Sequence, residues 1–279
     1  MSRSRSTKTQ DTPVMGRIRC GIGGWVYAPW RGTFYPEGLV QRRELEYASR
    51  ALRTLEINGT YYRSPDAPTW RSWAGQTPDG FVFSVKAPRT IMQSRALAST
   101  GERVKRFVES AAGLGDRLGP ILWQLLPTRR FDPDDIAAFL DLLPETHSGL
   151  PLRHAIEVRH ESFLDPRWCE LARGRGIATV FTDSTEHPSM ADLTGPFVYA
   201  RLMRSQAGET SGYPGKALDH WARRAGEWAA GGDPADLPHV EGPSTTMVPR
   251  DVFVYFISAA KERNPAAAVA LDTRVHRDA

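Results

Sequence analysis

The sequence predicts a TIM-type (β/α) barrel, on three observations. Eight short apolar or β-branched runs recur along the chain, helical patterns lie between most of them, and nearly every run ends in a polar residue. Short buried runs alternating with helices are the mark of parallel βαβ units. Eight such units close most economically into a barrel, whose site forms at the carboxyl ends of the strands. A doubly wound open sheet is the rival architecture.

The predicted strands cover residues 17–22, 54–57, 81–85, 121–124, 155–158, 179–182, 197–202 and 252–257. Residues 39–53 place Leu45, Ala48 and Leu52 on one helical face. Thr100 reads as an N-cap ahead of Val104, Phe107, Val108, Ala111 and Leu114, and Gly115 ends that run. Asp132-Pro133, Asp165-Pro166 and Asn264-Pro265 each read as an N-cap followed by proline in the first turn. Leu218, Trp221, Ala222, Ala225 and Trp228 form a further stripe, stopped by Gly231-Gly232. Between Asp183 and Phe197 the chain is short and carries Pro188 and Pro196, so this crossover is expected to lack its helix or to be a loop. Residues 231–249 read as a long surface loop.

Residues 1–16 are expected to form a disordered basic tail, and residues 17–279 one barrel domain. Arg3, Arg5 and Lys8 against Asp11 put half of the net charge of +4 into the tail. The body is then only mildly basic, which permits an anionic ligand without demanding nucleic acid. Cys20 and Cys169 make no disulfide framework, so a reducing, cytoplasmic setting is expected. No apolar run approaches the ~20 residues that span a bilayer, and the first residues lack the apolar stretch of a secretory signal.

The strand ends carry the chemistry. Glu56 and Asn58, Ser84 and Lys86, Glu157 and Arg159, and Tyr199 and Arg201 are alternate residues, so each pair shares a face. Gln124, His160 and Asp183 end further runs. Three acids (Glu56, Glu157, Asp183) thus face three bases (Lys86, Arg159, Arg201), and buried charges of this kind must pair with one another or with a ligand. One reading is a structural ion network closing the mouth. The other is a pocket in which the acids and His160 transfer protons, while Lys86, Arg159, Arg201, Asn58 and Gln124 hold a polar or anionic substrate. Tyr27, Trp30, Tyr61 and Tyr213 are expected to wall it; the alternative for the aromatics after the first strand is a hydrophobic plug. Trp70, Trp73, Trp221 and Trp228 read as core.

Several chemistries find no support. His160 and the acids lack metal-ligand spacing, and three nearby cations repel a divalent ion, so no metal is assigned. Gly21-x-Gly23-Gly24 lacks the third glycine and the acidic residue of a dinucleotide fingerprint, and more simply permits a sharp turn. No P-loop, nucleophile elbow or exposed reactive cysteine is legible. The cofactor, if there is one, stays unknown.

The ordered motifs resemble the DUF72 (YecE-like) family. They are Gly21-x-Gly-Gly-Trp25-x-Tyr27 with Trp30 and Phe34-Tyr35-Pro36, then Glu56-Ile57-Asn58 with Tyr61-Tyr62 and Pro65, then Phe81-x-Phe83-x-Val85-Lys86. Gln124 with Pro127, Glu157-x-Arg159-His160, Asp183, Tyr199-x-Arg201, Tyr213 and Tyr255-Phe256 follow. The resemblance spans residues 18–271 and implies a TIM-type barrel but no reaction. The chain departs from the family's pattern at three places. Its usual Thr-His is Met92-Gln93 here, His-Gly after the strand-seven arginine is Met203-Arg204, and the Asn-rich end of strand eight reads Ser258-Ala259.

Three functions are compatible with these residues. The first is an enzyme, a hydrolase or isomerase, acting on a small carbohydrate-like or phosphorylated substrate. The second is a nucleic-acid-binding or repair-type barrel that uses the tail, Arg129-Arg130 and the aromatic rim. The third is a ligand-binding module without catalysis.

Overall fold

The computed structural model of the chain describes residues 15–277. Eight strands close a parallel barrel. They are β1 Ile18–Gly23, β2 Thr54–Ile57, β3 Val82–Lys86, β4 Leu118–Gln124, β5 Arg153–Glu157, β6 Ala178–Thr182, β7 Phe197–Leu202 and β8 Asp251–Phe256. Each pairs with the next, and β8 returns to β1. The open-sheet alternative is thereby excluded. Around the barrel lie α1 Glu44–Ala51, α2 Ala67–Gly75, α3 Gly101–Ala111, α4 Pro133–Leu140, α5 Pro166–Arg173, α6 Gly215–Ala230 and α7 Asn264–Val275. No helix among the described residues is long and apolar enough to cross a membrane.

Strand placement follows the expectation within three residues, and β2 and β7 match it at both ends. The largest difference is β4, which starts at Leu118 because Gly119-Pro120 sits inside the strand, with Pro120 opposite Arg153. The apolar stripes are buried as their spacing demands, including Leu45, Ala48 and Leu52, Val104 to Leu114, and Leu218, Trp221, Ala225 and Trp228, with Ala222 half-buried. The caps divide. Asp132 accepts from the backbone N–H of Asp134 and Asp135, and Asp165 from that of Arg167. Thr100 makes no cap; its hydroxyl turns back to donate to the Leu97 carbonyl at 2.6 Å. Asn264 is the first helical residue of α7 and is buried, with its side chain committed elsewhere.

No helix occupies residues 183–196, as Pro188 and Pro196 required. The 231–249 loop covers this sector instead. Ala191 N–H donates to the Pro238 carbonyl, and the Asp192 carboxylate accepts from the N–H groups of Val240 and Glu241. The tail expectation falls mostly on residues outside the described range. Gly16, assigned to that tail, donates its N–H to the Ala229 carbonyl at 2.9 Å.

The barrel interior is a separate small core. Leu122, Ala155, Ala178, Val180, Phe197, Tyr199, Phe253, Tyr255 and Ile257 fill it. A larger core lies between the strands and the surrounding helices. The interior residues fix which parity of each strand faces inward, and so which residues reach the mouth.

Candidate functional site

A hydroxyl layer underlies the site. Thr54 Oγ1 and Tyr255 OH lie 2.8 Å apart, and Ser84 Oγ and Tyr199 OH 2.7 Å apart, all buried. Burial first, then the Glu56 charge, raises the Tyr199 phenol well above its ordinary value, so it stays protonated and donates to Glu56 Oε2 at 2.6 Å. Two residues further along the same strand the parity repeats, and Arg201 enters the mouth.

Arg201 is the hub. Its Nη2 and Nε donate to the two oxygens of Glu56 at 2.9 and 3.1 Å, and its Nη1 donates to Glu157 Oε2. The second Glu157 oxygen accepts from Arg159 Nε at 2.6 Å. The strand register makes this possible, because Glu157 lies beside Gln124, Glu56 beside Ser84 and Gly23, and Arg201 beside Thr182 and Tyr255. Arg201 is 2% exposed and both acids 0%, so each charge depends on its partner for solvation. Burial alone raises a carboxyl, but Arg201 and Arg159 outweigh it at Glu157 and hold that group below its ordinary value. Burial likewise opposes the Arg201 charge, and Glu157 and Glu56 more than restore it.

Above this floor opens a cavity of about 630 Å³. Lys86, Arg159, Arg201, Gln124 and Asn58 line it, as expected, and Asn58 Nδ2 donates to the Glu56 carbonyl. Gly23 also lines it; a Cβ there would lie 2.8 Å from Asn58 Nδ2 and 2.9 Å from Ile257 Cδ1. Gly24 follows with φ 74°, which makes the turn that the sequence foresaw.

Lys86 differs from its neighbours. Among the described residues no carboxylate lies within 4 Å of its ammonium, which sits 4.6 Å from the centre of the Tyr61 ring. Burial, and then the Arg201 charge, bring it down to about 8, with Glu56 and Glu157 acting in the opposite direction. Tyr61 therefore meets the site through Lys86.

Other predicted residues fall outside the cavity. Asp183 accepts from Met203 N–H at 2.5 Å and Tyr213 OH at 3.1 Å, and Tyr213 OH in turn accepts from Arg204 N–H. Asp183 and Tyr213 thus bind the ends of β6 and β7 together, and burial raises the Asp183 carboxyl. His160 caps the short turn Glu161–Phe163, its Nδ1 accepting from Ser162 N–H. Trp30 is buried in the core and donates Nε1 to the Lys261 carbonyl at 3.0 Å. Tyr27 packs on Trp30 under Lys261. Arg129, assigned to a nucleic-acid surface, donates to the carbonyls of Arg95 and Ser94 and lies 3.7 Å from Asp135.

The actual aromatic wall is Trp25 against Trp73, edge to face at 5.0 Å. The sequence pattern assigns Trp73 to the core, because its helical spacing with Trp70 does not reveal which one faces the mouth. Ser258 and Lys261 also line the cavity. Ser258 and Ala259 have φ of 60° and 45°, left-handed values that strain non-glycine residues. Asn264 holds this bend, donating to the Ser258 carbonyl and accepting from Ser205 Oγ, which itself donates to the Ala260 carbonyl as well. Burial lowers the Lys261 ammonium, which lies over the Tyr27 ring at 4.4 Å.

Away from the mouth, Cys169, Asp192 and Glu241 converge. Asp192 is committed to two backbone N–H groups and Glu241 to Arg173 at 2.6 Å, so this cluster ties the 231–249 loop to α5.

The sequence profile described as "Protein of unknown function DUF72" matches residues 19–279. No curated protein matches the chain. A DUF72 family protein of Thermotoga maritima MSB8, solved at 2.20 Å, is similar with a TM-score of 0.69 and 20% identity, covering 92% of this chain and 98% of that one. Structures of a DUF72 family protein of Enterococcus faecalis V583 give TM-scores of 0.67. One is 18% identical over 95% of this chain and 100% of that one, the other 17% over 92% and 95%. Identities of this size speak to the fold alone. The profile match begins on β1 and runs through the whole barrel, and on that ground the chain belongs to the DUF72 family.

Proposed function

We propose that the mouth binds a small, polar, anionic substrate, carbohydrate-like or phosphorylated, and acts on it as an enzyme. One observation carries this reading. Glu56, Glu157, Arg159 and Arg201 answer one another, whereas Lys86 and Lys261 reach the same cavity with aromatic rings instead of carboxylates beside them. A cavity lined by two unanswered cations is complementary to an anion. Its volume of about 630 Å³ suits a ligand of sugar-phosphate size. Trp25 and Trp73 offer an apolar wall on which a sugar ring can lie.

In this reading the acids are not the free proton acceptors that the sequence pattern offered. Each has both oxygens engaged, so their role is to fix the Arg201 and Arg159 guanidiniums. Those guanidiniums are then held ready for charge that develops on the substrate. Proton transfer falls to Lys86, whose ammonium lines the cavity and is lowered to about 8.

The test is calorimetric titration with inorganic phosphate and a panel of sugar phosphates at low salt. Binding of at least one is expected, weakened about tenfold or more by Lys261→Met, the loss of one charge-assisted hydrogen bond. If no anion in the panel binds, or if binding is indifferent to both lysines, the reading fails.

A further inference from the structure

The chain uses lysine sparingly. Of its 36 lysine and arginine residues only five are lysine: Lys8, Lys86, Lys105, Lys216 and Lys261. Lys105 and Lys216 are exposed on helices, while Lys86 and Lys261 line one cavity. Arginine performs every other cationic task at the mouth. It differs from lysine chemically in that a guanidinium does not lose its proton in a protein, whereas a lysine amine in a partly buried site does. A neutral amine is a nucleophile.

We propose that Lys86 forms a covalent imine with the carbonyl carbon of a small anionic aldehyde or ketone, whose anionic group Lys261 receives. The proposal rests on the anion-binding reading above and names the chemistry of the same cavity. In the step, the lone pair of neutral Nζ adds to the carbonyl carbon, and the π pair moves to oxygen, which takes a proton. The nitrogen gives up one proton, matching the one that oxygen takes, and the resulting carbinolamine expels its hydroxyl together with the second nitrogen proton as water while C=N forms. Amine and carbonyl give imine and water, with no oxidant, reductant or co-reactant.

Three features of the site favour this over a purely electrostatic lysine. The nearby carboxylates are engaged by Arg201, Arg159 and Tyr199, so no ion pair clamps the ammonium. Lys86 ends β3, a rigid element, and faces the open cavity. Its surroundings also release the proton readily: burial and Arg201 bring it to about 8, against the pull of Glu56 and Glu157 and with Arg159 adding to the depression. At pH 8 its neutral fraction then exceeds that of an exposed lysine by about 100-fold. Tyr61 contributes only a ring face and no competing charge.

The experiment uses the full chain, incubated separately with pyruvate and with dihydroxyacetone phosphate in cyanoborohydride, followed by intact-mass measurement and peptide mapping. The expected result with at least one probe is a single reduced adduct on Lys86, labelled far ahead of Lys105 and Lys216. It should increase as pH rises through about 8 and disappear in Lys86→Arg. Absence of label on Lys86 with both probes, or label shared evenly with Lys105 and Lys216, overturns the imine. The mapping is done on the unaltered chain, so it decides the matter even if Lys86→Arg folds poorly. Quenching of Trp25 and Trp73 fluorescence by dihydroxyacetone phosphate separates the two readings. Quenching without an adduct leaves anion binding standing and removes the imine; neither quenching nor adduct removes both.

Discussion

The two ends of the barrel carry comparable numbers of charges and treat them differently. At the amino end Asp251 meets Arg19 at 3.1 Å and Arg153 at 3.4 Å and accepts the Arg17 N–H, while both guanidiniums lie over the Phe253 ring. A hollow of about 800 Å³ opens beside this cluster, larger than the one at the mouth. Its other charges are nonetheless matched, with Arg53 on Asp272 and Arg19 on Asp251, and Arg17, which has no carboxylate beside its guanidinium among the described residues, is exposed to water. At the carboxyl end the Arg201 network is equally self-sufficient, but Lys86 and Lys261 are left over. Ion networks close both ends of a barrel, so a network does not mark a site. The proposed site rests instead on partly buried cations that no carboxylate among the described residues answers, Lys86 and Lys261, and the larger hollow offers only the water-exposed Arg17 in that role.

The largest effect is expected at the hub. Arg201→Met takes the shared guanidinium from two fully buried carboxylates, leaving Glu157 only Arg159 and Glu56 only the Tyr199 hydroxyl, and is expected to cost about 3–5 kcal/mol in chemical denaturation. A loss under 1 kcal/mol would mean that the acids are not buried as pairs. Lys86→Met strands nothing, so stability near pH 7 should hold or rise, while binding of an anionic ligand weakens about tenfold or more. The folded value of Lys86, about 8, lies below that of an unfolded lysine, so over the interval between them the unfolded chain binds more protons. Stability gained from Lys86 therefore rises as pH climbs from about 8 toward about 10.4 and then levels off. Lys86→Met removes that rise, measured as the difference between the two melting curves.

At the other end Asp251→Asn should cost about 1–2 kcal/mol and leave anion binding unchanged, since its pairs only hold strands together. Burial opposes the Asp251 charge, but the Arg17 N–H, Arg19 and Arg153 hold its carboxyl below the ordinary value. That contribution is present above the unfolded value and fades as pH falls through the folded one, so the variant should flatten the acid limb of the stability profile. The smallest effect is expected from His160→Ala. Losing one side-chain cap on a short turn should cost about 0.5–1 kcal/mol, read from thermal unfolding, with no change in anion binding.

Strand parity explains how much was legible. Glu56, Lys86, Glu157, Arg159 and Arg201 were found because short buried strands impose a period of two up to their last residue and a little beyond. The same rule accounts for two residues that missed the cavity. Val180 is an interior residue, so Asp183 has the opposite parity. His160 likewise stands out of phase with Glu157 and Arg159. Residues beyond strand ends have no period to read. Nothing in the pattern separates Trp30, which is core, from Trp25, which walls the cavity, and Lys261 arrives five residues past β8 on a strained bend. Gly16 and Asn264 show the same limit at element boundaries, where local propensity yields to a tertiary partner.

The stretch from Asp183 to Pro196 has a further consequence. Elsewhere a helix seals each stave of the barrel with its own apolar stripe; here two distant segments of chain are laced together by backbone groups and Asp192. Such a seam gives way more readily than a packed helix, and amide protons there should exchange ahead of those in the other staves. It also abuts β7, the strand that carries Arg201.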